Sequence, residues 1–203
     1  GWIDIRGLPL AQAVTVIMDA ETGVPLAVLD AGHLTAVRTG AASGVATDLL
    51  ARKDARVAAV FGAGVQGRTQ LEAVAAVRPL RKAFVFDVDP RAAAAFAVEM
   101  GSRLGLDVEP AGSSHDLGQA DIVCTATTSA VPVFSDGDLK PGVHINAVGS
   151  YKPHIREVPG ATVRRASVFV DERLSALEEA GDLIIPLREG LIGPGHIKAE
   201  IGE

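Results

Sequence analysis

The chain of 203 residues is 48% hydrophobic and only 4% aromatic, enough for one good core and part of a second. Its formal net charge of −6, with no segment that gathers Lys and Arg, leaves no electrostatic basis for binding nucleic acid or an anionic membrane surface. The single cysteine, Cys124, excludes an internal disulfide and a multi-cysteine zinc site, no apolar run has the length of a bilayer span, and the opening GWIDIRGLPL lacks a secretory layout, so a cytoplasmic, non-membrane chain is expected.

From Ala13 to Asp30, the apolar runs AVTVIMD and VPLAVLD flank Glu21-Thr22-Gly23, the pattern of a β-hairpin. The period then changes. From about Leu34 to Arg52, Leu34, Val37, Ala41, Val45 and Leu49 recur at three- and four-residue steps and predict an amphipathic helix. After Lys53-Asp54 strand and helix alternate: Val57–Phe61, a helix from about Gln66, Ala83–Phe86, a helix from Pro90, then Val108, Ile122–Thr125, Val143–Val148 and Val168–Val170. That order predicts an α/β chain with a Rossmann-type, doubly wound parallel sheet. Asp89 is read as the N-cap of the second crossover helix, Pro90 as its first residue, and Gly101 as its stop after Met100. The ending LREGLIGPGHIKAEIGE has helical fragments but no clear cap, and the chain opens almost directly in a hairpin that is marginal alone, so a piece of a longer protein is expected.

The strand Val57–Phe61 runs straight into Gly62-Ala63-Gly64-Val65-Gln66-Gly67, after which Leu71, Val74 and Val77 keep helical spacing. Gly62 suits the tight turn, Gly64 lets the backbone approach a pyrophosphate, and Gly67 allows helix and strand to pack closely. The helix start offers free N–H groups and a positive dipole end. Asp87 follows the next strand, where a carboxylate accepts ribose hydroxyls and repels a 2′-phosphate; it favours NAD(H), while Arg91 leaves room for NADP(H). Thr125-Ala126-Thr127 and Val148-Gly149-Ser150 end two further strands at the carboxyl edge where ligands of open sheets bind, although the same residue types also serve plain turns. His33, His115, His144, His154 and His196 show no ligand spacing, so no metal is assigned, and Cys124 reads as a buried strand residue.

The segment Leu34-Thr35-Ala36-Val37-Arg38-Thr39-Gly40-Ala41-Ala42-Ser43, the GAGVQG loop, and Asn146-Ala147-Val148-Gly149-Ser150 with Pro153 and Glu157 together resemble the ornithine cyclodeaminase and mu-crystallin family. The resemblance covers nearly the whole chain. It implies a homodimer with a Rossmann domain and a second, α+β domain for substrate and dimer contacts built from the two chain ends and truncated here. Residues 1–54 then belong to that second domain, 55–175 to the Rossmann domain, and 176–203 return toward the first. It also implies that Arg38 holds the substrate α-carboxylate with Thr39 nearby, and that Val65, Gln66, Asp87, Thr125 and the Val148–Tyr151 loop contact the cofactor.

Members that cyclise ornithine carry an aspartate in the loop after the Val148 strand and a lysine four residues later; here those positions hold Tyr151 and Ile155. A phenol, with an ordinary pKa of about 10, is a poor base near neutral pH. The expectation is therefore an oxidoreductase moving hydride at the α-carbon of a small amino or cyclic imino acid, with Arg38 as anchor and Tyr151 as a candidate proton donor. Ornithine cyclodeaminase and a nicotinamide-nucleotide-binding protein without turnover stand as alternatives.

Overall fold

A computed structural model describes residues 13–203; the expectations for residues 1–12 lie outside the described residues. The hairpin pairs β1 (Val14–Met18) with β2 (Pro25–Asp30) antiparallel, and Gly23 takes a φ of 71° at the turn. Asp19 shapes the turn by accepting from the Glu21 amide at 3.1 Å and from the Thr22 amide and hydroxyl, each at 2.7 Å. A short acid bonded to its own following backbone is the mechanism by which aspartate favours turns.

Helix α1 (Ala31–Leu50) starts three residues earlier than the apolar pattern predicts, because Asp30 caps it by accepting from the Gly32 and His33 amides. Its inward face also differs from expectation. Ala36, Gly40, Ser43, Gly44, Ala46 and Thr47 are buried, whereas Leu34, Val37, Val45 and Leu49 are 40–61% exposed. Close approach to α2 (Val65–Val77) explains the choice: a Cβ on Gly40 would lie 2.6 Å from the Thr69 carbonyl oxygen, and one on Gly44 3.2 Å from the Ala73 Cβ. Two polar contacts pin α1 along its length. Gln70 Nε2 donates to the Thr39 carbonyl at 3.3 Å, and Asn146 Nδ2 donates to Thr47 Oγ1 at 2.9 Å. Buried Arg78, just past α2, closes its C-terminus by donating to the Thr47, Asp48 and Ala51 carbonyls at 2.7, 3.0 and 2.9 Å, supplying partners that a helix end lacks.

The central sheet is parallel and five-stranded, in the order β5-β4-β3-β6-β7, with β3 (Val57–Phe61) between β4 (Lys82–Phe86) and β6 (Ile122–Thr125). Helix α3 (Pro90–Leu104) leads to β5 (Asp107–Pro110), short α4 (Ser114–Leu117) precedes β6, and β7 (His144–Ala147) closes the far edge. Side-chain alternation builds two cores. Ala58, Val60, Ala83, Val85, Ile122 and Cys124 pack against Leu71, Val74, Phe96 and Met100, while Ala59, Phe61, Phe84 and Val123 pack with Leu117 and Leu139 on the other face. Asp89 caps α3 and Pro90 opens it as expected, but the helix passes through Gly101. Gly101 keeps a negative φ and faces the Leu106 carbonyl, where a Cβ would sit 3.2 Å away; the left-handed stop is Gly105, at φ 65°.

Beyond β7 come α5 (Gly160–Arg165), β8 (Val168–Val170), α6 (Arg173–Glu179), α7 (Gly181–Arg188) and β9 (Ile197–Glu200). Strand β8 was expected in the main sheet; instead it pairs with β9 in a separate parallel ladder. Its one buried residue, Val170, joins Val158, Val163, Leu183, Ile192 and Ile197, so its apolar surface is satisfied away from the sheet. Among the described residues no helix is long and apolar enough to cross a membrane, and no three His, Cys, Asp or Glu side chains gather as a metal site.

Candidate functional site at the carboxyl edge of the sheet

The loop between β3 and α2 is defined by space. Gly62, at φ 98°, donates its amide to the Phe86 carbonyl at 2.8 Å, and a Cβ there would lie 2.5 Å from the Ala126 carbonyl oxygen. A Cβ on Gly67 would lie 2.0 Å from the Gly62 carbonyl oxygen, so helix and loop meet backbone to backbone. Gly64 is the opposite case. It is the N-cap of α2, makes no side-chain cap, and has nothing within 4 Å of where its Cβ would be, which leaves the helix N-terminus open toward Val65 and Gln66. That is an anion-binding geometry. Arg68 braces the loop from behind: its guanidinium donates to the Ala63 carbonyl and, at 3.1 Å, to the Gly64 carbonyl, pairs with Glu99 at 2.8 Å and lies over the Phe96 ring.

Asp87 sits directly after β4 and touches this loop. Its Oδ2 accepts from the Ala63 amide at 2.7 Å and its Oδ1 from the Asp89 amide at 2.9 Å. An ionised carboxylate has about four acceptor sites, so two remain for further hydroxyls. Asp89 is occupied separately, capping α3 through the Arg91 amide.

Across the β3–β6 boundary, Thr125 is fully buried and its carbonyl accepts from the Val148 and Gly149 amides at 3.0 and 3.2 Å. Its hydroxyl finds no partner among the described residues. The two loops that follow β6 and β7 are joined by Glu157, which is 0% exposed. One carboxylate oxygen accepts from the Thr127 amide at 2.6 Å and the Thr127 hydroxyl at 2.5 Å; the other accepts from the Gly149 amide at 2.7 Å. A Cβ on Gly149 would lie 2.5 Å from the Thr127 carbonyl oxygen and would also crowd Glu157 Oε2, so the clamp requires glycine. Asp182, at the start of α7, accepts on one oxygen from the Glu157 and Val158 amides at 2.7 and 2.9 Å, and donates its own amide to Ser150 Oγ at 3.0 Å. Burial pushes the Asp182 carboxyl up to about 6, with the nearby Glu157 charge adding to the shift.

The phosphate loop, Asp87, Thr125–Thr127 and Val148–Ser150 thus stand at one sheet edge. Arg38 and Tyr151 are not drawn into that bonded set. Arg38 is exposed on α1, one residue before Thr39. Tyr151 is 57% exposed, with Lys152 Nζ 5.3 Å from its ring centroid. Cys124 is fully buried, and burial raises its thiol to about 12, which suits a packing residue rather than a nucleophile. The sequence reading missed Arg68, Arg78 and Asp182, and assigned no role to Glu157. A fully buried glutamate eight residues beyond a Gly-Ser turn has no periodic signature.

Residues 3–203 match the model of the "Ornithine cyclodeaminase/mu-crystallin family". A Delta(1)-pyrroline-2-carboxylate reductase from Bacillus cereus is 40% identical over 199 residues, 97% of this chain and 61% of that protein. The solved Delta(1)-pyrroline-2-carboxylate reductase of Thermococcus litoralis, in complex with NADH and L-proline, superposes with a TM-score of 0.94 at 46% identity, covering 98% of this chain and 62% of that one. An archaeal alanine dehydrogenase dimer with bound NAD gives a TM-score of 0.91 at 34% identity, covering 98% of this chain and 61% of that one. The chain therefore spans less than two thirds of the length of each of these relatives.

Proposed function

The chain belongs to the ornithine cyclodeaminase/mu-crystallin family, and from that premise we propose that it is an NAD(H)-dependent oxidoreductase, with NADP(H) as a weaker cofactor. Its reaction is hydride transfer at the α-carbon of a small amino or cyclic imino acid, with a five- or six-membered cyclic imine carboxylate as the favoured substrate. The observation that carries this reading is the joining of the phosphate loop to Asp87 at a sheet edge whose glycines exclude side chains.

The residues present fit a dinucleotide. The open start of α2 at Gly64, Val65 and Gln66 would hold the pyrophosphate, Asp87 would accept the ribose hydroxyls on its two spare acceptor sites, and Thr125–Thr127 with Val148–Ser150 would hold the remainder of the cofactor. When bound, the nicotinamide supplies the two-electron hydride that converts the C=N carbon to an amine carbon, while the nitrogen takes up one proton. Arg38 holds the substrate carboxylate by two parallel charge-assisted bonds, which fixes the α-carbon for transfer. Tyr151, in the loop that also carries Gly149, is the proposed proton donor to that nitrogen.

A cytoplasmic homodimer is part of the same reading. Val14, Val16 and Met18 of β1 and Leu26 and Val28 of β2 are all more than half exposed, an apolar hairpin that calls for cover, and the sole cysteine is free. Within this reading residues 1–54 serve substrate and dimer contacts, 55–175 bind the nucleotide, and 176–203 return to the first unit. The test is fluorescence titration of the purified protein with NADH and NADPH, followed by nicotinamide absorbance against a panel of cyclic imino acids. Saturable NADH binding with oxidation on one imine supports the proposal; binding without turnover leaves a nucleotide-binding protein, and no binding removes the reading.

A further inference from the structure

We propose that Asp182 is a positioning residue for the cofactor edge: from the return segment it fixes Glu157, and through Glu157 the spacing of the Thr127 and Gly149 loops. The inference rests on the nucleotide-binding reading for its purpose, but its geometry stands without it.

Asp182 lies outside the strand-and-helix alternation that carries the glycine loop, yet it is buried against residues 150–158. The approach is backbone on backbone. A Cβ on Gly181 would lie 1.8 Å from the Ile155 carbonyl oxygen and 2.6 Å from that of Lys152, so α7 enters at a depth only glycine permits. At that depth Asp182 Oδ1 takes both the Glu157 and Val158 amides, while Ser150 Oγ takes the Asp182 amide and donates to the Ile155 carbonyl at 2.9 Å. Glu157 is thereby held at its main chain and spends both carboxylate oxygens on Thr127 and Gly149. Its carbonyl also accepts from the Val133 amide at 2.9 Å, which fixes the far side of the Thr127 loop.

The two acids differ in a way that makes the idea sharp. Asp182 uses one oxygen for both amides, and its Oδ2 has no partner among the described residues. An asparagine there can keep every hydrogen bond. Glu157 needs an acceptor on each oxygen, so a glutamine must turn an NH2 group toward either Thr127 or Gly149.

The experiment compares the wild-type protein with D182A, D182N and E157Q by amide hydrogen exchange at Thr127 and Gly149 and by NADH titration. In D182A both amides lose protection and the NADH Kd rises about tenfold, the equivalent of one net hydrogen bond, while Val60 and Val123 stay protected. D182N keeps protection and affinity within about threefold of wild type, and E157Q falls at least as far as D182A. Unchanged protection in a folded D182A overturns the assignment, and so does loosening of these amides in D182N, which holds the acceptor in place even if D182A does not fold. Exchange needs no nucleotide. A wild-type protein that binds no NADH therefore defeats the functional proposal alone.

Discussion

The Asp87 carboxylate meets the Ala63 amide at 2.7 Å, so the acid at the end of β4 also holds the loop at the end of β3. One residue thus couples the ends of two neighbouring strands, both assigned to the proposed dinucleotide site. Replacing it by serine should act twice: discrimination against NADPH relaxes about tenfold or more as a repelling charge is lost, and NADH affinity falls as the loop loosens. Parallel titrations with both cofactors check this. An unchanged NADH-to-NADPH ratio removes Asp87 from the ribose site.

Arg38 makes no hydrogen bond to Asp87, Thr125–Thr127 or Val148–Ser150 and lies exposed on α1, so its proposed role can be tested apart from theirs. R38A should lower kcat/KM for an imino acid by about a hundredfold, as loss of a charge-assisted carboxylate contact does, with NADH affinity nearly intact. Equal loss of both would make Arg38 structural.

Arg78 offers a prediction about stability alone. Its side chain is 2% exposed, serves the Thr47, Asp48 and Ala51 carbonyls at the end of α1 and pairs with Asp48 at 2.9 Å. R78M takes this donor from all three, leaving the Ala51 carbonyl with no donor among the described residues while Thr47 and Asp48 keep the Ala51 amide and Lys53, and should cost about 2 kcal/mol, read as a lower urea midpoint. A midpoint within error of wild type would show that water replaces the guanidinium.

Acid titration follows from Asp182. Burial raises its carboxyl from 3.8 to about 6, with Glu157 adding to the shift and Arg156 opposing it. The folded state therefore binds this proton more tightly than the unfolded chain does. Stability from this group is fully present below about pH 4 and is lost as pH rises through about 6, by at most about 3 kcal/mol. D182N lacks the term, so its stability relative to wild type should improve between pH 4 and 7 in paired denaturation curves. A constant difference across that range rejects the assignment.

Buried apolar runs made the middle of the sheet legible: β3 and β6 fall on the predicted residues, since a strand covered by packing has few other ways to satisfy Val, Ile and Phe, and β8 also falls where predicted but outside that sheet. The partner of β8 was not legible, because a three-residue run carries no record of which edge it joins. Helix α1 was found but its buried side was mistaken, since periodicity marks an apolar stripe and says nothing of whether small residues opposite it permit a closer contact. The glycine loop and Asp87 could be read from strand–turn–helix context. The Glu157 and Asp182 links could not: Thr127 and Glu157 stand 30 residues apart, and only folding brings their complementary donors and acceptors together.

Gly40 and Gly44 let α1 approach α2 to backbone distance at Thr69 and Ala73. Polar pins also hold the helix, the Thr39 carbonyl on Gln70 near its middle, and the Thr47 hydroxyl on Asn146 with the Arg78 guanidinium toward its C-terminus. Arg38 stands one residue from the first pin. Under the role proposed for Arg38, the first pin therefore sets where its guanidinium starts, and a substitution at Gln70 would act on substrate fit from a residue that touches no substrate.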